Sequence, residues 1–170
     1  MWIYLLVGIL SYFFLIFLVL RLAAPFMGFW AWGKPTHVPT NITQVVQSLE
    51  QKHPTQKEYL LAAYTLVAER YWAGRMQTVW YAPLAFRTNL EEIWNAPGYA
   101  HCNTQNYVLF TLLTTSSLFR PQDIQMKTVF FNFFIHQYLR VKVGAEWISA
   151  DPAGATIRKL PLGAHIQWFG

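Results

Sequence analysis

The first pattern along the chain is an absence of polar positions. Trp2 to Leu20, WIYLLVGILSYFFLIFLVL, carries no charged side chain and ends at Arg21. At helical rise such a run is long enough for a hydrocarbon core about 30 Å thick, which predicts a transmembrane anchor over residues 1–23. Phe26, Phe29, Trp30 and Trp32 follow as an expected interfacial aromatic belt, and Pro35 and Pro39 break the chain, so residues 24–40 read as a juxtamembrane linker. A cleaved signal peptide fits the segment less well. No Lys or Arg precedes the run, it exceeds a usual signal core, and Pro25 follows the small pair Ala23-Ala24. With Arg21 and Lys34 after the span, the positive-inside rule gives a single-pass membrane protein with its main domain in the cytoplasm, an extracytoplasmic domain being the alternative.

Beyond residue 40 the pattern becomes that of one folded domain, residues 41–170, with room for a single core. Asn41 is placed to cap an amphipathic helix bearing Ile42, Val45, Val46 and Leu49. Thr55-Gln-Lys-Glu58 has capping-box form and predicts a helix over 56–72, ending near Gly74. Thr88-Asn-Leu-Glu91 repeats the box before a short helix that Asn95-Ala-Pro-Gly98 must stop. Val108, Leu109, Leu112 and Leu113 keep helical spacing after a polar start at Cys102 to Asn106, which puts the cysteine near a helix N-terminus.

Alternation then replaces helical spacing. From Val129 to Val143 the odd positions Val129, Phe131, Phe133, Ile135, Leu139, Val141 and Val143 form an apolar face, read as one strand. His136 falls on the opposite, more open face with Asn132, Tyr138, Arg140 and Lys142. Closing a hairpin at Gly144-Ala145 sets Val143 against Glu146, Lys142 against Trp147 and Tyr138 against Asp151. His136 and Asp151 are then diagonal neighbours on one face, with Cα atoms roughly 7–8 Å apart. A loop one residue longer or shorter would turn Asp151 away.

Composition alters this picture little. A hydrophobic content of 54%, with 18% aromatic residues, agrees with some apolar surface meeting lipid. The net charge of +5 raises a nucleic-acid reading, but Lys and Arg are scattered singly without a basic run, so no nucleic-acid partner is expected. A solvated surface, or attraction to anionic lipid headgroups, is the simpler account of such a distribution. The single cysteine, Cys102, forms no intrachain disulfide. A lone cysteine is most often a small buried hydrophobe. A helix N-terminus and a nearby imidazolium, however, lower a thiol pKa from its ordinary ~8.5 and make a nucleophile. A hydrogen-bonded His136–Asp151 pair supplies the remaining parts: the carboxylate fixes the imidazole, and the other ring nitrogen activates the thiol.

Cys102, then His136, then Asp151-Pro152 after a short hairpin resembles the transglutaminase-like cysteine peptidase superfamily. The likeness spans residues 88 to 152 and rests on His136, Tyr138, Val141, Gly144, Trp147, Asp151 and Pro152, which fit the family's H-x-W/Y-x-x-V, Gly turn and W-x-x-x-D-P pattern. Ala100-His101-Cys102 departs from its G-x-C. The resemblance implies an α+β, papain-like domain of helices packed on an antiparallel sheet, here behind an N-terminal transmembrane helix. It also implies Cys102 as nucleophile, His136 as acid and base, Asp151 as its orienting partner, and no cofactor. The expected substrate is a protein or peptide amide.

The backbone N–H of Cys102 is the natural oxyanion donor. Trp72, Trp80, Trp94 and Asn95 lie upstream, but the tryptophans read as packing residues. Hydrolysis by a peptidase or amidase is the expected activity; acyl transfer and a catalytically inactive peptide-binding or scaffold domain are the alternatives. A metal site from His101, Cys102, His136 and Asp151 lacks the H-E-x-x-H or paired-cysteine spacing, so no metal is expected.

Overall fold

The computed structural model describes residues 2–27, 32–74, 77–129 and 135–167; side chains 16–22, 78, 79 and 82 are outside this description. The charge-free run forms helix α1 (Trp2–Leu22), and its side chains from Trp2 to Leu15 are exposed. Among the described residues no helix is long and apolar enough to cross a membrane. The expected transmembrane anchor and single-pass membrane placement are corrected accordingly.

The aromatic residues after α1 are engaged with the folded domain. Phe26 stacks on Tyr107 at 4.0 Å, and Trp32 meets both Tyr107 and Phe110 edge-on. These two are packing residues instead of an interfacial belt; Phe29 and Trp30 lie outside the described residues.

Helices α2 (Thr40–Lys52) and α3 (Gln56–Arg70) follow. Pro39 is the N-cap of α2, so Asn41 sits inside the first turn, where its amide donates to Asn95. Thr55 caps α3 as expected, accepting from the Glu58 N–H while its hydroxyl donates to the Glu58 carboxylate. The α3 helix stops at Arg70 because Tyr71–Trp72 form a short strand, β1. Two single turns, α4 (Gln77–Trp80) and α5 (Ala82–Ala85), precede α6 (Leu90–Asn95), which is capped by Asn89, one residue beyond the expected cap. Gly98 takes φ 129°, which favours glycine, and opens β2 (Gly98–Tyr99), parallel to β1.

At the centre stands α7 (Cys102–Thr115), packed against α2, α3, α8 (Pro152–Arg158) and the sheet. Leu109, Leu112 and Leu113 are fully buried, together with Leu60, Val67, Leu139 and Val141 of the surrounding elements. The sheet is antiparallel in the order β3 (Ile124–Val129), β4 (His136–Val143) and β5 (Glu146–Ala150). The single strand expected over 129–143 is therefore two strands: Val129 pairs with His136, so the chain reverses between them. Periodicity missed this because residues 130–135 contain no glycine or proline to mark a turn. The second hairpin keeps the expected register, with Val143 opposite Glu146 and Lys142 opposite Trp147 across Gly144 at φ 60°. The arrangement is a mixed α+β one in which helices cover a small sheet.

Candidate active site

Three elements end at one place. Cys102 is the first residue of α7, His136 the first of β4, and Asp151 follows β5 as the N-cap of α8. The last β4–β5 pair is Leu139 with Ala150, and one further step along this register sets Tyr138 opposite Asp151, with His136 diagonal to it. The diagonal closes into a hydrogen bond of 2.7 Å between His136 Nε2 and Asp151 Oδ2. The imidazole also hydrogen-bonds Cys102, which leaves it between thiol and carboxylate. Exposure is 6% for Cys102, 7% for His136 and 0% for Asp151, so all three act in a largely dry environment. The more open face expected for His136 is in fact covered.

The covering segment is the C-terminal stretch. His165 stacks on Tyr138 at 4.0 Å, and the Ile166 N–H donates 2.9 Å to Asp151 Oδ2. Burial lowers the His165 pKa below its ordinary value, Asp151 opposes that shift, and the charges of His136 and Arg140 reinforce it. Asp151 Oδ1 accepts from the Gly154 N–H at 2.8 Å, which closes the N-terminus of α8. The carboxylate is thus the meeting point of three hydrogen bonds, which fix its orientation. Behind it, the Tyr64 hydroxyl points at the Leu160 and Asp151 carbonyl oxygens. Burial and the Asp151 charge raise its pKa to about 12, so at neutral pH it remains a donor.

Burial opposes the charged form of His136, while the hydrogen bonds and charges of Asp151 and Cys102 favour it. The net effect raises its pKa from 6.5 to about 10. An imidazolium held this firmly stabilises a thiolate beside it, and the N-terminal end of α7 acts in the same sense. The α7 first turn carries no acidic residue, and its N-cap His101 makes no side-chain capping bond.

Gly154 is a residue that sequence reasoning missed. A Cβ there would lie 2.6 Å from Asp151 Oδ2 and 2.7 Å from its Cγ. Gly154→Ala is expected to push the carboxylate off His136, with thiol reactivity falling about tenfold or more while the chain still folds, because a one-ångström misplacement has that scale of effect. Alkylation kinetics beside a thermal melt would check this. Ile166 was missed for a different reason: the contribution is a backbone N–H from a segment without any motif. The polar start of α7 was read as a helix boundary, yet Asn103, Gln105 and Asn106 are fully buried.

Of the four upstream residues, Trp72, Trp94 and Asn95 make contacts away from Cys102 and His136. Trp94 is buried beneath the Arg70 guanidinium, and Asn95 accepts from Asn41. Trp72 packs on Tyr81 and Tyr99. Trp80 is 81% exposed, contrary to its expected packing role. A shallow groove of about 350 Å³ between α3 and α8 is lined by Tyr64, Glu69, Trp72, Thr156 and Lys159, and neither Cys102 nor His136 lines it. Among the described residues no group of three or more His, Cys, Asp or Glu side chains is arranged to hold a metal ion.

Comparison with protein-family models, with curated proteins and with solved structures returned no match. The functional reading therefore rests on this geometry.

Proposed function

We propose that the chain is a cysteine hydrolase, a peptidase or amidase of transglutaminase-like type, with Cys102, His136 and Asp151 as its triad. The observation that carries the reading is His136 hydrogen-bonded on one side to Cys102 and on the other, at 2.7 Å, to a buried Asp151. The Cys102 thiolate attacks the carbonyl carbon of a peptide or related amide, and the developing oxyanion turns to the Cys102 N–H at the start of α7. The His136 imidazolium gives its proton to the leaving amine, the C–N bond breaks, and a thioester remains on Cys102. Neutral His136 then takes a proton from water; the resulting attack releases the carboxylic acid and restores the thiolate–imidazolium pair. Asp151 holds the ring and balances the imidazolium throughout.

The test is acyl-enzyme capture. Incubation with an activated amide or thioester should add the acyl mass to Cys102, with release by water or hydroxylamine. An added amine that collects the acyl group faster than water would make the activity transfer instead of hydrolysis. No acylation of a folded protein would leave the inactive binding or scaffold domain.

The raised His136 pKa also sets a pH window for stability. Its stabilising contribution is fully present below the unfolded value of about 6.5 and is lost as pH rises through about 10. The melting temperature should therefore fall progressively across that interval. In His136→Ala the decline should flatten, as melts taken at intervals across the same range would show.

A further inference from the structure

Two buried carboxamides follow the nucleophile on α7. Gln105 Nε2 donates 2.9 Å to the carbonyl of Ala100, two residues before Cys102. Asn106 Nδ2 donates 2.8 Å to the carbonyl of Gln137, the residue after His136. Cys102 and Asn106 are one helical turn apart, so the Asn106 bond ties the helix face bearing the thiol to the strand position beside the base. Both side chains are 0% exposed, and among the described residues their acceptor oxygens, Gln105 Oε1 and Asn106 Oδ1, have no hydrogen-bond partner. A helix retained for packing alone is better served by apolar residues here, since a buried acceptor without a partner opposes folding. These amides are present for what they donate to.

We infer that Asn106 is a positioning residue, whose amide fixes β4 against α7 and so sets the separation of the Cys102 thiol and the His136 imidazole. The inference rests on the proposed triad. It assigns no bond-making role to Asn106. Gln105 acts with it by holding the chain that enters the nucleophile, so that the thiol and imidazole are located from both sides. Without the Asn106 amide, β4 is released from α7 next to His136, the thiol–imidazole contact loosens, and the thiolate loses its counter-charge.

The experiment is the pH dependence of iodoacetamide alkylation of Cys102 in the full-length protein. Asn106→Leu, which keeps volume and removes the donor, should move the midpoint of thiolate formation upward by about one unit or more. That shift equals a roughly tenfold loss of rate on the acid side of the midpoint, where rate tracks thiolate fraction. Thr111→Val removes another side-chain bond of the same helix, to the Tyr107 carbonyl, and should leave the midpoint in place whatever its effect on the melting temperature. A folded Asn106→Leu with the parent midpoint overturns the inference. Should Asn106→Leu not fold, the Asn106 side-chain amide protons of the parent decide: slow solvent exchange and a through-bond coupling to the Gln137 carbonyl support the clamp, and fast exchange overturns it. A midpoint that shifts in His136→Ala but not in Asn106→Leu dismisses the clamp alone. One indifferent to His136→Ala dismisses the triad.

Discussion

Replacing His136 with alanine should abolish the heightened reactivity of Cys102. In the parent, a buried imidazolium stands against the thiol and remains protonated up to about pH 10. Removing it returns the thiol to an ordinary pKa near 8.5 or, given 6% exposure in an apolar surround, above it. At pH 6.5 such a thiol is only about 1% ionised, so alkylation should fall roughly a hundredfold, and acyl-enzyme formation further still because the leaving amine has lost its proton donor. The substitution also leaves the Asp151 carboxylate buried without its cation. Breaking a buried pair in this way costs about 3–5 kcal/mol, so a melt and a far-ultraviolet spectrum must accompany the kinetics.

The second large effect is expected at Asp151. Asparagine at this position keeps the shape and one oxygen, but three N–H donors, from Gly154, Ile166 and His136, converge on the two oxygens of the aspartate. Whichever way the amide is turned, its NH2 group faces at least one donor. The loss should be about 1–3 kcal/mol of stability for each buried group left unpaired. Catalysis should fall by roughly 10²–10⁴-fold, the usual contribution of positioned acid–base chemistry, through a misoriented and less basic His136. Asp151 is the structural cap of α8 and, in the proposed triad, the orienting carboxylate, so its substitution should reduce activity and melting temperature together. A folded, fully active Asp151→Asn protein would remove it from the triad.

Part of this site was legible in the sequence, for physical reasons. A Gly-Ala turn of two residues fixes the hairpin register, and register fixes which residues share a face; the fifteen-residue interval from His136 to Asp151 then places them side by side. Helical spacing after a polar start was enough to set Cys102 at an N-terminus. What remained hidden depends on tertiary covering. The Ile166 N–H reaches Asp151 through a chain segment whose side chains carry no pattern, and Asn103 to Asn106 look solvated in a helical reading although the sheet and neighbouring helices enclose them. The apolar run of α1 and the aromatic residues behind it read as one membrane signal, yet Phe26 and Trp32 are committed to Tyr107 and Phe110. Alternation also carried one strand too far, because between Val129 and His136 only Asn132 is a turn-forming type, and it fits the polar face of a continuous strand.

The central claim concerns charge: Cys102 and His136 exist as a thiolate–imidazolium pair in the resting protein. Ultraviolet titration of the thiolate, taken as the difference between the parent and Cys102→Ser, measures that charge without any substrate. The triad predicts thiolate absorbance already present at pH values well below 8.5, with the His136 ring, followed by NMR, staying protonated until about pH 10. A thiolate that appears only at pH 8.5 or above, beside a His136 that loses its proton near 6.5, would contradict it.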